Sequence, residues 1–127
     1  MREPRWLSRV VLDAVHLDQL REHGGLPGVR DENALESALA RPKQRWHYAK
    51  KPSVFGLAAA YGFGIARNHP YRDGNKRAAF MAMAIFLGLN GHEIGASEAE
   101  VVQTMLALAS GDLSEAALAN WLRRASQ

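Results

Sequence analysis

The chain has no cysteine among its 127 residues, which excludes disulfides and thiolate metal sites together and is consistent with a reducing compartment. It also lacks a long apolar run. The uncharged stretches 54–66 and 78–91 each abut charge and fall short of the ~20 residues that cross a bilayer as a helix. No membrane partner is expected. The opening MREPRWLSRVVLDAV has arginines, but Ser8 and Asp13 interrupt any secretory h-region, so a cytoplasmic location is the expectation. Internal repeats, low-complexity tracts and convincing strand alternation are absent too, which leaves an all-α reading. Neither sign of charge dominates: the formal net charge is +3 and the pI about 9.6, a mild preference for anionic partners on what is mostly a solvated surface. With 47% hydrophobic and 23% charged residues, the composition is that of one globular domain, 1–127, rather than a disordered chain.

Six helices are expected. Ser8 caps the first, whose Val10, Val11, Ala14, Val15, Leu17 and Leu20 recur at helical steps. The run Gly24-Gly25-Leu26-Pro27-Gly28 stops it, Asp31 starts a second helix with a stripe of Ala34, Leu35, Ala38 and Leu39, and Pro42 is expected to end that helix, leaving 43–52 as loop. Ser53 caps VFGLAAAYGFGIA, and AAFMAMAIFLGLNG ends at an Asn90-Gly91 stop. Neither segment offers a charged face, so both read as buried central helices, packed closely through glycines 56, 62, 64 and 88. Ser97 with Glu100 makes a capping box for a fifth helix, and Ser114 opens a sixth carrying Ala117, Leu118, Trp121 and Leu122. A short extended piece is allowed at His92–Gly95. The expected fold is a compact bundle of about six helices around two buried central ones.

Between the two charge-free helices stands NHPYRDGNKR, residues 68–77. A polar loop anchored by packed helices on both sides is rigid, as a catalytic site requires. Asp73 or Asn75 falls where the second central helix begins, so the backbone N–H groups of Gly74 to Arg77 and the helix dipole converge on one spot suited to an anion. Lys76 and Arg77 put positive charge in a first turn that ordinarily favours acids, a conflict that a bound phosphate resolves. Gly74 allows close backbone approach. Asp73 reads as a Mg²⁺ ligand beside nucleotide phosphates, as an N-cap, or as both. His69, which exchanges protons near neutral pH, is the natural general base for a hydroxyl nucleophile. Pro70 and Tyr71 fix the loop path.

The string His69-Pro70-Tyr71-Arg72-Asp73-Gly74-Asn75-Lys76-Arg77 closely resembles the signature of the Fic/Doc superfamily, in its Doc (death-on-curing) branch of toxin–antitoxin toxins. HLDQLREHGGLPGVRDENALESALARP, LAAAYGFGIARNHPYRDGNKRAAF and IFLGLNG look like that branch as well, so the resemblance covers most of the chain. It implies a compact helical fold holding a nucleoside triphosphate, such as ATP, with Mg²⁺. Carried over residue by residue, His69 acts on a target hydroxyl, Asp73 assists the metal, and Gly74, Asn75, Lys76 and Arg77 surround the phosphates. Arg67 resembles a nucleotide-side position, or is simply a charge at a helix C-terminus. His16 matches a histidine of the branch, although alone it reads as a satisfied, partly buried residue. Where AMP-transferring Fic proteins usually have glycine and a later arginine, this chain has Lys76 and Phe80. That departure implies the Doc activity, phosphorylation of a translation elongation factor, with a small acidic antitoxin binding through an amphipathic helix. The Doc motif usually has phenylalanine at the position of Tyr71.

Two other readings remain at this level. One is a Fic-type AMP transferase using the same His69. The other is a nonenzymatic module that binds an antitoxin, or binds nucleic acid through Arg41, Lys43, Arg45, Lys50 and Lys51; these cations lie in and beside one loop without a recognition helix. Direct nucleic-acid binding is therefore not expected.

Overall fold

A computed structural model describes all residues, 1–127, and is all-helical: α1 (Arg9–His23), α2 (Glu32–Tyr48), α3 (Val54–Asn68), α4 (Asn75–Leu89), α5 (Glu98–Ser110) and α6 (Glu115–Ala125). Side-chain oxygens of Ser8, Asp31, Ser53, Ser97 and Ser114 accept the N–H three residues on, capping α1, α2, α3, α5 and α6. No helix is long and apolar enough to cross a membrane.

The uncharged α3 is the axis. It packs against α2, α4, α5 and α6, and its residues 57–62 and 64–66 are all buried. The second apolar helix, α4, lies along it and buries Ala78, Ala79, Ala82, Met83, Phe86 and Leu87. Its first turn and its last two residues reach solvent, so the polar end of α4 is presented at the surface by a helix whose body is fixed in the core. The ends of the chain close this core. The Leu7 N–H donates to the buried Tyr61 hydroxyl at 3.0 Å, and Asn90 exchanges hydrogen bonds with the Arg5 backbone. The extended piece near His92 is a single antiparallel pairing of Ile94 with Ser126.

Four expectations change. In α1 the buried residues are Leu12, His16 and Leu20, while Val10 is 78% exposed and Val11 and Leu17 also face solvent. The apolar periodicity was satisfied by two faces, and the one carrying a histidine is inside. Pro42 does not end α2, which runs on to Tyr48. A proline removes only its own N–H from the ladder; here Trp46 packs on the core, and Arg41 and Arg45 both pair with Glu115 of α6, which hold the later turns in place. The capping box of α5 is half formed, because the Glu100 carboxylate accepts from the Trp121 indole at 2.8 Å instead of returning to the Ser97 N–H. Of the four helical glycines, only two make close interhelical approaches. A Cβ on Gly62 would overlap the Met83 side chain, and one on Gly64 would lie 3.2 Å from Ala38 Cα, whereas one on Gly56 would meet only its own cap Ser53 and one on Gly88 would meet nothing within 4 Å.

Gly64 and Gly88 therefore separate two effects of the same substitution. Gly64→Ala should push α2 off α3 and cost about 1–3 kcal/mol by overpacking. Gly88→Ala, with open space around it, should stabilise by about 0.5–1 kcal/mol through helix propensity alone. Urea denaturation of both variants checks this, and equal shifts would contradict the close α2–α3 approach.

Candidate functional site

The loop from α3 to α4 is held along its whole length. α3 ends at His69, whose backbone turns left-handed (φ 48°, ψ 57°) while its N–H still donates to Ile65 O at 3.2 Å. Pro70 O then accepts from the N–H groups of Arg30 (2.8 Å) and Asp31 (3.1 Å), Tyr71 pairs with Val29 as an antiparallel bridge, and the Arg72 N–H donates to Gly28 O at 3.1 Å. The segment before α2 thus runs beside the loop like a second strand. The Arg30 guanidinium reaches across as well, donating to His69 O at 2.7 Å and Asn68 O at 2.8 Å.

Beneath the loop, Tyr71 is 1% exposed, and its phenol donates to Asp13 Oδ1 of α1 at 2.8 Å. Burial, and then the Asp13 carboxylate that accepts its hydrogen bond, push its ionisation well above the ordinary tyrosine range. The ring stacks on His16 with centroids 3.7 Å apart. His16 is itself buried, and its Nε2 lies 2.8 Å from Asp73 O; a carbonyl only accepts, so that nitrogen carries the proton. Asp13 pairs with Arg9, which also reaches Glu32 and Glu36 of α2. The hydrogen bond from Arg9 holds the Glu32 carboxyl below its usual range. One charge network thereby joins α1, α2 and the underside of the loop.

The start of α4 differs from what the residues led us to expect. Neither Asp73 nor Asn75 caps it. The N-cap is Gly74, at φ 73° and with no side-chain hydrogen bond to the helix. Asp73 Oδ2 accepts instead from the Leu26 N–H at 2.9 Å. Asn75 is the first helical residue, and its side chain closes back on Tyr71, accepting from that N–H and donating to that carbonyl at 2.9 Å each. Positive φ favours glycine at 74, and the space is tight as well, since a Cβ there would sit 3.3 Å from the Leu20 side chain. None of the backbone N–H groups of Gly74, Asn75, Lys76 and Arg77 donates within the protein, and neither Lys76 nor Arg77 joins an ion pair.

That bare helix end opens into a cleft of about 400 Å³ between α4 and α5, with Gln19 of α1 at its edge. Residues Asp73 to Arg77 form the polar end, and Phe80, Met81, Val101, Val102, Met105 and Leu106 the apolar wall. Asp73 is the one acidic side chain in the lining, and no group of three or more carboxylates and imidazoles is placed to hold a metal ion by itself. His69 does not line the cleft; it is exposed at the other end of the loop. Arg67 is not brought to the cleft either. Its guanidinium lies 5.3 Å from the Phe63 ring centroid and beside Gly111, the C-cap of α5, where the carbonyl ends of two helices favour a cation. Of the basic residues near the 49–53 loop, Arg41 and Arg45 are already engaged by Glu115.

Residues 6–87 match the Fic/DOC family model. The chain belongs to the Fic/DOC family, and its relatives fall in the Doc branch. It is 32% identical to "Protein kinase doc" of Escherichia phage P1 over 120 residues, 94% of each chain. It is 40% identical to "Toxin Doc" of Mycolicibacterium smegmatis over 74 residues, 58% of this chain and 57% of that one. The Doc-branch resemblance seen in the motif is thus borne out.

The buried phenols tie stability to pH. Burial raises Tyr61 to about 12 from an ordinary 10.0, and raises Tyr71 further still. Both are held neutral in the fold while the unfolded chain ionises first, so their contribution is intact below pH 10 and is lost as pH rises through the folded values. Stability should therefore fall above about pH 10 at up to roughly 1.4 kcal/mol per pH unit per tyrosine. Tyr71→Phe should flatten this slope in denaturant titrations at pH 9 to 11 (about one unit either side of the free tyrosine value); an unchanged slope would place the Tyr71 phenol in water.

Proposed function

We propose that this chain is the toxin of a toxin–antitoxin pair, and that it moves the γ-phosphoryl group of a nucleoside triphosphate to a serine or threonine hydroxyl of a translation elongation factor, stopping protein synthesis. The observation that carries the reading is the start of α4. It alone among the six helices has no side-chain cap, and it leaves its free N–H groups and two unpaired cations facing a cleft. The name of the phage P1 relative, a protein kinase, supports the reaction class, and that of the M. smegmatis relative supports toxicity.

In this reading the phosphates rest on the N–H groups of Gly74 to Arg77, with Lys76 and Arg77 offsetting charge that builds on the transferred group. Asn75 acts through its backbone N–H, since its side chain is engaged in shaping the loop. A lone carboxylate with one oxygen tied to Leu26 suits a Mg²⁺ carried in on nucleotide phosphates rather than a free-standing metal site. Asp73 is the residue that would hold such an ion, which would neutralise the departing phosphates. The His69 imidazole takes the proton from the acceptor hydroxyl as its oxygen bonds to phosphorus; the bond from that phosphorus to the bridging oxygen breaks, and the nucleoside diphosphate leaves. Arg67 has no part in this, in keeping with its place at the helix ends. The antitoxin we propose is small and acidic, and it lays an amphipathic helix on the apolar wall, where Val102 and Leu106 are 52% and 53% exposed.

Adenylylation is the reading this disfavours. Phe80, rather than an arginine, lines the cleft wall, and Lys76, rather than a glycine, lines its polar end. Cell extract incubated with the protein and labelled nucleotide decides between them. Label at the γ position should pass to a target protein and label at the α position should not, and His69→Ala should abolish transfer while the variant stays folded by circular dichroism. Transfer from the α position alone would establish the AMP transferase in place of the kinase.

A further inference from the structure

We propose that Arg30 is a positioning residue: its guanidinium sets the backbone of His69, and so the direction of the imidazole, for the phosphoryl transfer proposed above, on which this role rests. His69 is the only non-glycine residue in the chain with positive φ. A residue with a Cβ enters that region uncommonly, usually at a helix end as here, and at a cost that contacts around it offset. The rotation φ turns the peptide whose carbonyl belongs to Asn68, and ψ turns the peptide whose carbonyl belongs to His69 itself. Arg30 holds both, through Nη2 to Asn68 O at 2.8 Å and Nε to His69 O at 2.7 Å. A planar fork with two fixed donors locks the pair of dihedrals at once, which a single ammonium does not.

The clamp is itself anchored. The Arg30 and Asp31 N–H groups both donate to Pro70 O, and the Asp31 side chain caps α2 by accepting the Ala34 N–H at 3.0 Å. Arg30 makes no ion pair with any carboxylate. Its charge is directed at the carbonyl end of α3, where the helix dipole favours it. Nothing else holds the Asn68 carbonyl or the His69 carbonyl. The next fixed points are the His69 N–H on Ile65 and the Pro70 carbonyl, one on each side of the left-handed turn.

Arg30→Lys and Arg30→Ala, made in the full chain, test this with two readouts. Backbone carbon shifts and the amide-to-Hα coupling of His69 report its left-handed conformation whether or not the protein is active. Single-turnover transfer from γ-labelled ATP to the labelled target reports the chemistry, with nucleotide affinity measured beside it. We expect both variants to lose the left-handed signature at His69 and to transfer roughly 10–100-fold more slowly at saturating nucleotide, with nucleotide affinity and the thermal midpoint little changed. Added guanidinium ion should restore part of the rate to Arg30→Ala and none to Arg30→Lys. If Arg30→Ala does not fold, Arg30→Lys carries the test. An unchanged His69 signature in a folded variant overturns the clamp; a changed signature with unchanged transfer overturns the positioning role. If the unaltered chain transfers no phosphate, the functional reading fails on its own, and the His69 signature still decides whether Arg30 sets that backbone.

Discussion

The loop that carries the family motif depends on one buried side chain. Tyr71 points inward from the middle of the loop, donates to Asp13 and stacks on His16, which in turn holds the Asp73 carbonyl. These contacts attach the loop to α1, while Val29 and the Arg30 and Asp31 N–H groups attach its edge to the segment before α2. A polar loop at the surface is normally mobile. This one is fixed from below by an aromatic stack and from the side by backbone pairing, so its exposed groups, His69 and Asp73, stand at set positions on a rigid base.

From that base follows the exposed start of α4. A Ser or Asp in place of Gly74 would have to hold its Cβ at positive φ and a tight 3.3 Å from Leu20. The glycine keeps the loop tight and leaves the first-turn N–H groups free, with Lys76 and Arg77 adding charge of the same sign as the helix dipole. Every other helix in the chain resolves its N-terminus with a side-chain oxygen. Only at α4 is a helix N-terminus left without such a cap, and that place opens on a cleft with an apolar wall. A phosphate on those N–H groups removes the conflict.

The caps were legible from residue type alone: Ser8, Asp31, Ser53, Ser97 and Ser114 all cap as their chemistry dictates. The two charge-free segments were legible as central helices for the same kind of reason, since no face of either could meet water. The inner face of α1 was not, because Leu12 and His16 share it with few apolar neighbours, and Val10 and Leu17 repeat with the same period on the outside. Periodicity fixes a spacing and leaves the face open. Pro42 misled because a single missing N–H is outweighed by Trp46 packing and the Glu115 ion pairs, contacts with residues far along the chain. At the site, the loop residues were visible as a cluster of chemistry, but Arg30, Asp13 and Arg9 were not, since nothing in spacing joins residue 30 to 69 or 13 to 71. The absent cap of α4 was equally hidden, because Asp73 and Asn75 both look like caps until the loop bends them towards Leu26 and Tyr71.

The central claim is that the free amides at the start of α4 hold nucleotide phosphates. Backbone amide spectra of the full chain titrated with ATP and Mg²⁺ test it most directly. The account predicts that the Gly74, Asn75, Lys76 and Arg77 amides shift first and saturate together, and that a nucleoside without phosphates moves them little. Saturating shifts confined to the basic stretch around Lys43 to Lys51, with those four amides unmoved, would contradict it.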